Sequence, residues 1–555
     1  MSSSTAFKRS PFKVSHNRVF DIHHQQQQLT VKHKTLLVSP VNTGKNNSKL
    51  PQPRKVSRLR QLASFSPVRH WFTENLRNYC NSTSLHGFNY ITLKGSTANE
   101  RHFWIAVVII SIITSIVLVI VSWFWNRETP TVTVIESAHF PTWNIPFPAV
   151  TICNFNKISK TKALKLARTL KRPPNVSVEK LLSLFRITMF FNFALNHTEE
   201  DFKTFGNILT DNNFTMAQLT QELTPDCMDM ISKCVWKGSG SRCDSLFQRV
   251  QAVEEVCCSF NYYGRLTNNF PKKIAYQIPK QPYRVTGCGH STGISVVLNP
   301  ITDDYFGTYL SSYGFRLLIH DAYNFPDENA ETKVVTSGRE SFVRINPEST
   351  YATNVVRNMD IELRNCLFYN ERSLPSMQRY SFVNCMAECR TRYLHDLCGC
   401  IPMSLPNNGS FRTCGLSEIY CVLNTREIFS LGLPTKNKTL SIVQNTDKFP
   451  CDCLPNCEFN SYPSEITMGL LDMKLVSTSN NINRTVNTDE QILLHVFFSD
   501  LMAKRYRKDI FQDWLSSLAS FGGLLGLIMG FSIVTAFEFI YFLTFRPIFN
   551  YFNDV

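Results

Sequence analysis

The chain has 555 residues, of which 43% are hydrophobic and 18% charged, and it carries a formal net charge of +15. Most of the surplus lies in residues 1–101, where 16 Lys and Arg accompany 3 Asp and Glu. A basic excess confined to one terminal segment argues against a nucleic-acid-binding surface and indicates a solvated tail that touches anionic lipid.

The first segment, residues 1–101, is expected to lie in the cytosol, because Lys and Arg accumulate on that side of a membrane protein. Residues 1–68 are predicted to be disordered, since they combine the run Gln25–Gln28 and scattered basic residues with few apolar clusters. From Trp71 to Glu100 the composition turns mixed and aromatic. We therefore expect an ordered segment just beneath the membrane.

The uncharged run Phe103–Trp125 predicts a first membrane-spanning helix, assigned to residues 102–125. Crossing the hydrocarbon core takes about 20 apolar residues, and aromatic residues at the end of the run suit an interface. No short apolar stretch with a small-residue cleavage site precedes it, so we expect this span to act as the anchor.

Residues 126–512 are predicted to form an extracellular domain of mixed α and β structure. The β-branched run Thr131–Ile135 and the alternating segment Gly314–His320 are typical of strands, whereas Val178–Phe191 has helical patterning. Six acceptor sequons for N-glycosylation fall in this region, at Asn175, Asn196, Asn213, Asn408, Asn437 and Asn483.

Cysteine usage supports the same topology. Of the 18 cysteines, 17 lie in residues 126–512, and only Cys80 lies on the reducing side. Ten of them fall between Cys366 and Cys457, a density that indicates a disulfide-stapled subdomain rather than zinc sites in an oxidising compartment. An odd number outside leaves at least one thiol unpaired, and spacing alone leaves the connectivity open.

A second apolar stretch, residues 513–545, predicts another span, followed by a short cytosolic tail at 546–555. Ala519, Gly523, Gly526 and Gly530 recur at spacings of four, three and four, which gives one helix face that other backbones can approach. Glu538 adds a carboxyl that costs about 3 kcal/mol where it faces lipid. Taken alone, this segment fits a pore and a tightly packed helix pair equally well.

Several motifs, in this order along the chain, resemble those of the degenerin and epithelial sodium channel family, most closely its insect pickpocket branch. They are His86-Gly87, Phe147–Asn154, Cys257–Asn261, Asn384–Tyr393, Cys451–Cys457 and Ser520–Gly526. The resemblance implies a membrane protein of the α+β class, with two transmembrane helices flanking a disulfide-rich ectodomain of palm, knuckle, finger, thumb and β-ball.

The resemblance also implies a function, namely a gated, sodium-selective and amiloride-sensitive channel subunit of the plasma membrane with both termini cytosolic. Three copies, or this chain with related subunits, would surround the pore, in contact with membrane lipid and with an extracellular ligand or tether. The permeant ion would be Na⁺, and we expect neither a cofactor nor a bound metal.

Particular residues inherit roles from this resemblance. Gly530, Phe531 and Ser532 match the selectivity triplet, and His86-Gly87 matches the cytosolic gating motif. The residues expected to line the pore or gate are Ala519, Ser520, Gly522, Gly523, Gly526 and Glu538. Bulky substitution at Ala519 or Ser520 is expected to hold the pore open.

The disulfide pairing is likewise implied by the resemblance. The expected pairs are Cys366–Cys457, Cys385–Cys453, Cys389–Cys451, Cys398–Cys421, Cys400–Cys414 and Cys153–Cys258. Among the remainder, Cys227, Cys234, Cys243, Cys257 and Cys288, only a Cys234–Cys243 link is suggested. One departure is evident: acid-sensing members carry Trp two residues before the first thumb cysteine, where this chain has Arg364, which argues against proton gating by that route.

Two other classes of protein share a two-span, cysteine-rich organisation. An ectoenzyme that hydrolyses nucleotides would carry phosphate-cradling Asp-x-Gly pairs, which this sequence lacks, and no catalytic constellation is apparent, so we expect no enzyme activity. A surface receptor without a pore has no need of the glycine face or of Gly530-Phe531-Ser532. Both alternatives are therefore disfavoured.

Overall fold

The computed structural model describes residues 66–189, 198–265, 281–308, 310–423, 425, 451–472, 490–546 and 548–549. The sequons at Asn196, Asn437 and Asn483, and the tail up to residue 65, lie outside these residues. The first described helix begins at Ser66, so its first three residues fall inside the stretch predicted to be disordered. The chain divides into two units, Met1–Glu74 and Asn75–Val555, and apart from the first residues of the helix Ser66–Ser82 the features considered below belong to the second.

The described helices range from single turns to the 31-residue helix α3. In chain order they are α1 Ser66–Ser82, α2 Phe88–Thr92, α3 Ala98–Glu128, α4 Lys160–Thr169, α5 Val178–Phe185, α6 Glu199–Asp211, α7 Met216–Leu223, α8 Cys227–Met230, α9 Cys243–Leu246, α10 Asn354–Arg357, α11 Ile361–Arg364, α12 Phe382–Cys398, α13 Trp514–Met529 and α14 Ile533–Ile540.

The strands lie between α3 and α13, as the predicted mixed architecture requires. They are β1 Thr131–Pro141, β2 Ala149–Asn154, β3 Asn156–Ser159, β4 Ile231–Trp236, β5 Ser239–Ser241, β6 Phe247–Ala252, β7 Glu255–Phe260, β8 Ile294–Leu298, β9 Tyr305–Thr308, β10 Gly314–His320, β11 Glu331–Thr336, β12 Arg339–Ile345, β13 Glu348–Ala352, β14 Phe459–Ser461, β15 Ser464–Leu470, β16 Ile492–Phe498 and β17 Met502–Ile510.

Three larger sheets organise these strands. Their orders are β1-β17-β13-β14, β11-β10-β2-β7-β6 and β15-β12-β16-β8-β4-β5. The second and third sheets share one hydrophobic core, in which Phe147, Phe260, Phe315 and Phe498 are fully buried. The predicted strands at 131–135 and 314–320 are confirmed, the first of them continuing to Pro141.

The first sheet ties the two apolar helical segments together. β1 begins three residues after α3 ends, and β17 ends four residues before α13 begins. The two strands pair antiparallel from Thr131 opposite Ile510 to Pro141 opposite Met502. A displacement of this ribbon therefore acts at once on the ends of both helices.

A separate cluster of helices, α4–α7, encloses its own core, which contains Phe185, Phe205 and Leu219. Ser177, Thr198 and Thr215 cap α5, α6 and α7 by accepting hydrogen bonds from backbone N–H groups in the first helical turn. Ile419, which belongs to the cysteine-rich region 366–457, is buried in the same cluster. Leu416 and Leu423 of the cysteine-rich region also pack against this cluster, so the two regions share an apolar contact.

The ten cysteines of the cysteine-rich region form the five pairs implied by the resemblance. The bonds are Cys366–Cys457, Cys385–Cys453, Cys389–Cys451, Cys398–Cys421 and Cys400–Cys414. The Cys234–Cys243 link is also present, and among the described residues Cys80 and Cys288 are free. Three of the five pairs involve cysteines of α12. Cys385 and Cys389 are bonded to Cys453 and Cys451, and Cys398 is bonded to Cys421.

The expected Cys153–Cys258 pair is wrong. Cys153 is bonded to Cys257, with the two Cα atoms 4.6 Å apart, and Cys258 is bonded to Cys227. The reason is strand register: Ile152 on β2 lies opposite Cys258 on β7, so the next residue, Cys153, has Cys257 across from it. Neighbouring residues of a strand face opposite sides of the sheet. Cys258 therefore lies in a different core cluster from Cys153 and Cys257.

This pairing can be tested by single cysteine substitutions. Cys227→Ala should leave a free thiol on Cys258, and Cys153→Ala should leave one on Cys257. Maleimide labelling of the unreduced protein followed by peptide mass spectrometry would locate each thiol. Opening the Cys227–Cys258 loop of 31 residues should cost roughly 3–4 kcal/mol of stability.

Cys243→Ala serves as the matched control, because it should expose only Cys234. Labelling of Cys257 in the Cys227→Ala protein would contradict the assignment.

Candidate ion pathway

In the part of the chain that the structure describes, one helix is apolar and long enough to cross a membrane, or two segments if a broken helix pair is counted as a single span. One is the straight helix α3, and the other is a broken pair, Trp514–Met529 followed by Ile533–Phe545, with a bend of 69° between its halves. The residues left between α13 and α14 are Gly530, Phe531 and Ser532. The predicted selectivity triplet thus coincides with the break.

Local hydrogen bonding explains why the helix breaks there. Gly530 ends α13 in the left-handed conformation, with φ of 68°, which only glycine adopts without strain. Ser532 begins α14 as its N-cap: its Oγ accepts a hydrogen bond from the Thr535 N–H at 3.3 Å. In return the Ser532 N–H donates to Thr535 Oγ1 at 2.7 Å.

The turn formed by residues 83–87, here called the His86 turn, lies against this break. The His86 N–H donates to the carbonyl oxygen of Met529, the last residue of α13, at 2.9 Å. The His86 imidazole covers Gly530 so closely that a Cβ added there would lie 2.8 Å from the ring. Predicted gating and filter residues are therefore in direct contact.

Gly87 allows the turn to make this approach. Its φ is 85°, and an added Cβ would lie 3.0 Å from Cγ2 of Val108 on α3. The turn is further held by α1, where Tyr79 makes edge-to-face contacts with Phe539 and Phe542 at centroid distances of 5.7 Å. Burial raises the pKa of the neighbouring Cys80 thiol, which makes that free cysteine poorly reactive.

The predicted gate residues other than Glu538 lie on α13, which precedes the break in the chain. Ala519, Gly522 and Gly523 are exposed, and a Cβ added at either glycine would meet nothing within 4 Å in the described chain. This face of small residues is therefore left open by the chain's own described side chains. It suits close approach by another helix or by permeating solvent.

Glu538 lies on α14, past the break, and is partly buried. Its Oε2 is 3.4 Å from both the backbone nitrogen and the Oγ of Ser84 in the His86 turn. Sequence reasoning missed Ser84, since nothing local marks it. It also missed Thr535, which is 1% exposed and exchanges hydrogen bonds with Ser532 three residues before it.

A comparison with known protein families shows which family has this architecture. The family model described as "Amiloride-sensitive sodium channel" matches residues 79–542. The chain belongs to this channel family. The match includes α3, the disulfide-rich ectodomain, the break and Glu538, so the resemblance seen in the sequence is confirmed.

Individual relatives agree with the family assignment. Pickpocket protein 11 of Drosophila melanogaster is 27% identical over 478 residues, which cover 85% of this chain and 76% of that protein. Sodium channel protein Nach of the same organism is 24% identical, covering 86% and 88% of the two chains. The bile acid-sensitive ion channel of Mus musculus is 26% identical, covering 84% and 87%.

Arg364 occupies the position, two residues before Cys366, at which acid-sensing members of the family carry tryptophan. Its side chain is 1% exposed and forms an ion pair with Glu371. The guanidinium also donates to the carbonyl oxygens of Cys366 and Arg357, at 3.1 and 2.9 Å. Arg364 thus braces the base of the cysteine-rich region from within.

The partner carboxylate is held ionised by the same contacts. Burial opposes ionisation of Glu371, but hydrogen bonds from the Phe368 N–H and from Arg364 hold its pKa below the usual range.

Of the sequons that the structure describes, Asn175, Asn213 and Asn408 are all exposed, as glycan attachment requires.

Substitution of Gly530 tests the geometry of the break. Gly530→Ala should be strained twice, by the left-handed backbone and by the His86 ring, at a combined cost of about 2 kcal/mol or more. We expect reduced surface expression or loss of current. Surface biotinylation and voltage clamp would measure the two effects.

Gly469→Ala is the control, because Gly469 lies on β15, outside the pore segments, and its added Cβ meets nothing within 4 Å in the described chain. A second substitution, His86→Ala, should relieve only the ring contact and so restore part of the loss. Full wild-type behaviour of Gly530→Ala would contradict this description of the break.

Proposed function

We propose that this chain is a subunit of a gated, Na⁺-preferring, amiloride-sensitive channel of the plasma membrane. The observation that carries the proposal is the helix break at Gly530-Phe531-Ser532. The His86 turn contacts this break on one side, and the carboxylate of Glu538 follows it on α14. A break of this kind exposes backbone carbonyl and hydroxyl oxygens, which are hard ligands suited to a partly dehydrated cation.

The proposed topology has two spans, α3 and the broken pair α13–α14, with both termini in the cytosol. Charge distribution supports it, since the Lys- and Arg-rich residues 1–101 precede α3 directly. The disulfides support it too, because eight bonds form between α3 and α13, where an oxidising exterior is expected.

Channels of this family are oligomeric, and we take the assembly to be a trimer of this chain or of this chain with related subunits. The open face of Ala519, Gly522 and Gly523 supports a pore shared between copies. Three such faces would bring small residues together at the axis, where a bulky side chain would keep the helices from closing against one another.

A movement of the ectodomain would be transmitted to the pore through β17. Ile510, the last residue of β17, packs on the cluster of Val356, Cys366 and Phe368 at the base of the cysteine-rich region. Thr353 Oγ1 also donates to the Asp509 carboxylate at 3.0 Å. A ligand or tether that displaces this region would thereby pull on the segment that enters α13, a form of rigid-body coupling.

A test of the function should not depend on knowing the stimulus. Bulky substitution of Ala519, as in Ala519→Phe, is expected to hold the pore open and give a constitutive current in oocytes. That current should fall when external Na⁺ is replaced by an impermeant cation, and amiloride should block it. The matched control is Leu518→Phe, one position around the helix.

Absence of a cation current from Ala519→Phe at the cell surface, alone and with related subunits, would count against channel function. A Na⁺ current that amiloride leaves unchanged would refute only the predicted pharmacology.

The filter assignment is tested at Ser532 in the open Ala519→Phe background. Ser532→Ala removes both the hydroxyl and the helix cap, a cap worth about 1 kcal/mol, whereas Ser532→Asn keeps a capping oxygen. We expect both variants to shift the reversal potential measured with Na⁺ outside and K⁺ inside. A shift common to both reports on ion contact rather than on the cap.

Ser517→Ala, which removes a hydroxyl from the first half of the broken pair, is the control. An unaltered reversal potential in both Ser532 variants would locate selectivity elsewhere.

A further inference from the structure

The His86 turn contacts the broken helix pair on both sides of the break. Before the break, the His86 N–H binds the Met529 carbonyl at 2.9 Å. After the break, two donors of Ser84, its backbone N–H and its hydroxyl, lie 3.4 Å from Oε2 of Glu538. The turn therefore links the end of α13 to a carboxylate nine residues further on.

Ser84 is not needed to form the turn. The turn is shaped by the Thr83 N–H, which donates to the Tyr79 carbonyl at 2.8 Å, and by the Leu85 N–H, which donates to Thr83 Oγ1 at 3.3 Å. Thr83 and Leu85 are buried, whereas Ser84 is exposed. The Ser84 hydroxyl can thus be removed without dismantling the fold around it.

The contact has a clear electrostatic consequence. A carboxylate at a membrane helix costs free energy unless water, cations or hydrogen-bond donors stabilise its charge. Donors aimed at one oxygen also restrict the side chain's rotamers, since the geometry of a charge-assisted hydrogen bond is directional. Both Ser84 donors approach Oε2, at 3.4 Å, so the contact favours one orientation of the Glu538 carboxylate.

We propose that Ser84 is a positioning residue of the ion pathway, which fixes the Glu538 carboxylate and couples it to the His86 turn. The inference rests on the proposed function and extends it to a residue outside the recognised motifs. Movement of the turn changes the orientation of Glu538 and the contact at Met529 together. Gate and exit of the pathway are thereby linked within a single chain.

The test uses single-channel recording in the open Ala519→Phe background. Ser84→Ala removes the hydroxyl donor and leaves the backbone donor, so we expect Na⁺ conductance to change about two- to fivefold, the effect of losing one hydrogen bond at the weak end of the usual range. The change should follow the direction produced by Glu538→Ala. Ser84→Thr, which keeps a hydroxyl, should restore most of the conductance.

Two comparisons separate positioning from a structural effect. Ser82→Ala is the matched control, because the Ser82 hydroxyl donates only to the carbonyl of Asn78 on its own helix, at 2.9 Å. A double-mutant cycle is the decisive comparison: Ser84→Ala should have no further effect once Glu538 is Ala. Surface biotinylation would verify equal amounts of each variant.

The alternatives give distinct results. Wild-type conductance in Ser84→Ala, or an effect that persists in the Glu538→Ala background, overturns the inference and leaves channel function intact. Unchanged conductance in Glu538→Ala overturns it as well, because the carboxylate would then lie off the pathway. Absence of current from every variant would overturn the proposed function and this inference with it.

Discussion

The absence of a side chain at Gly530 is the constraint on which the membrane part of this structure depends. The left-handed backbone at this residue ends α13, and the empty space beside it admits the His86 ring. Any other residue would strain the backbone and displace the imidazole. One glycine thus sets both the 69° bend of the second segment and the docking of the His86 turn.

The rest of the fold positions this break relative to the ectodomain. The antiparallel pairing of β1 with β17 joins α3 and α13 into one ribbon, so that neither helix can shift alone. Ile510 of β17 packs on the cluster that contains Cys366 and Cys457, which connects the ribbon to the cysteine-rich region. Disulfides make that region stiff, because they remove its local freedom to unfold, and a stiff element transmits displacement better than a soft one.

Much of this organisation could be read from the sequence, because the signals were local. Apolar length identified α3, β-branched runs identified strands, and small residues around Gly530 identified the segment of the break. The Cys153 pairing failed for the opposite reason. It depends on whether residue 257 or 258 lies across from Cys153, a one-residue difference in register between strands about 100 residues apart.

Ser84 and Arg364 show the same limit from the side of function. Neither carries a sequence signal of its role, because their partners, Glu538 and Glu371, are brought near by tertiary structure. Thr535 differs, because its partner Ser532 lies only three residues away, within the first turn of α14, and Ser is itself a favoured helix N-cap. Contacts within a helical turn are thus legible in sequence, whereas contacts between segments require the fold.

The distribution of polar contacts around the break leads to one more step. On the α13 side the His86 turn binds a backbone carbonyl, and on the α14 side it binds a carboxylate. The first contact depends only on where α13 ends, but the second also depends on the charge of Glu538, which a passing cation would partly neutralise. Occupancy of the pathway by a cation would therefore weaken the turn's hold on α14 more than its hold on α13. In the proposed channel, the coupling between gate and ion would thus be unequal on the two sides of the break, and α14 would be the half whose position responds to permeation.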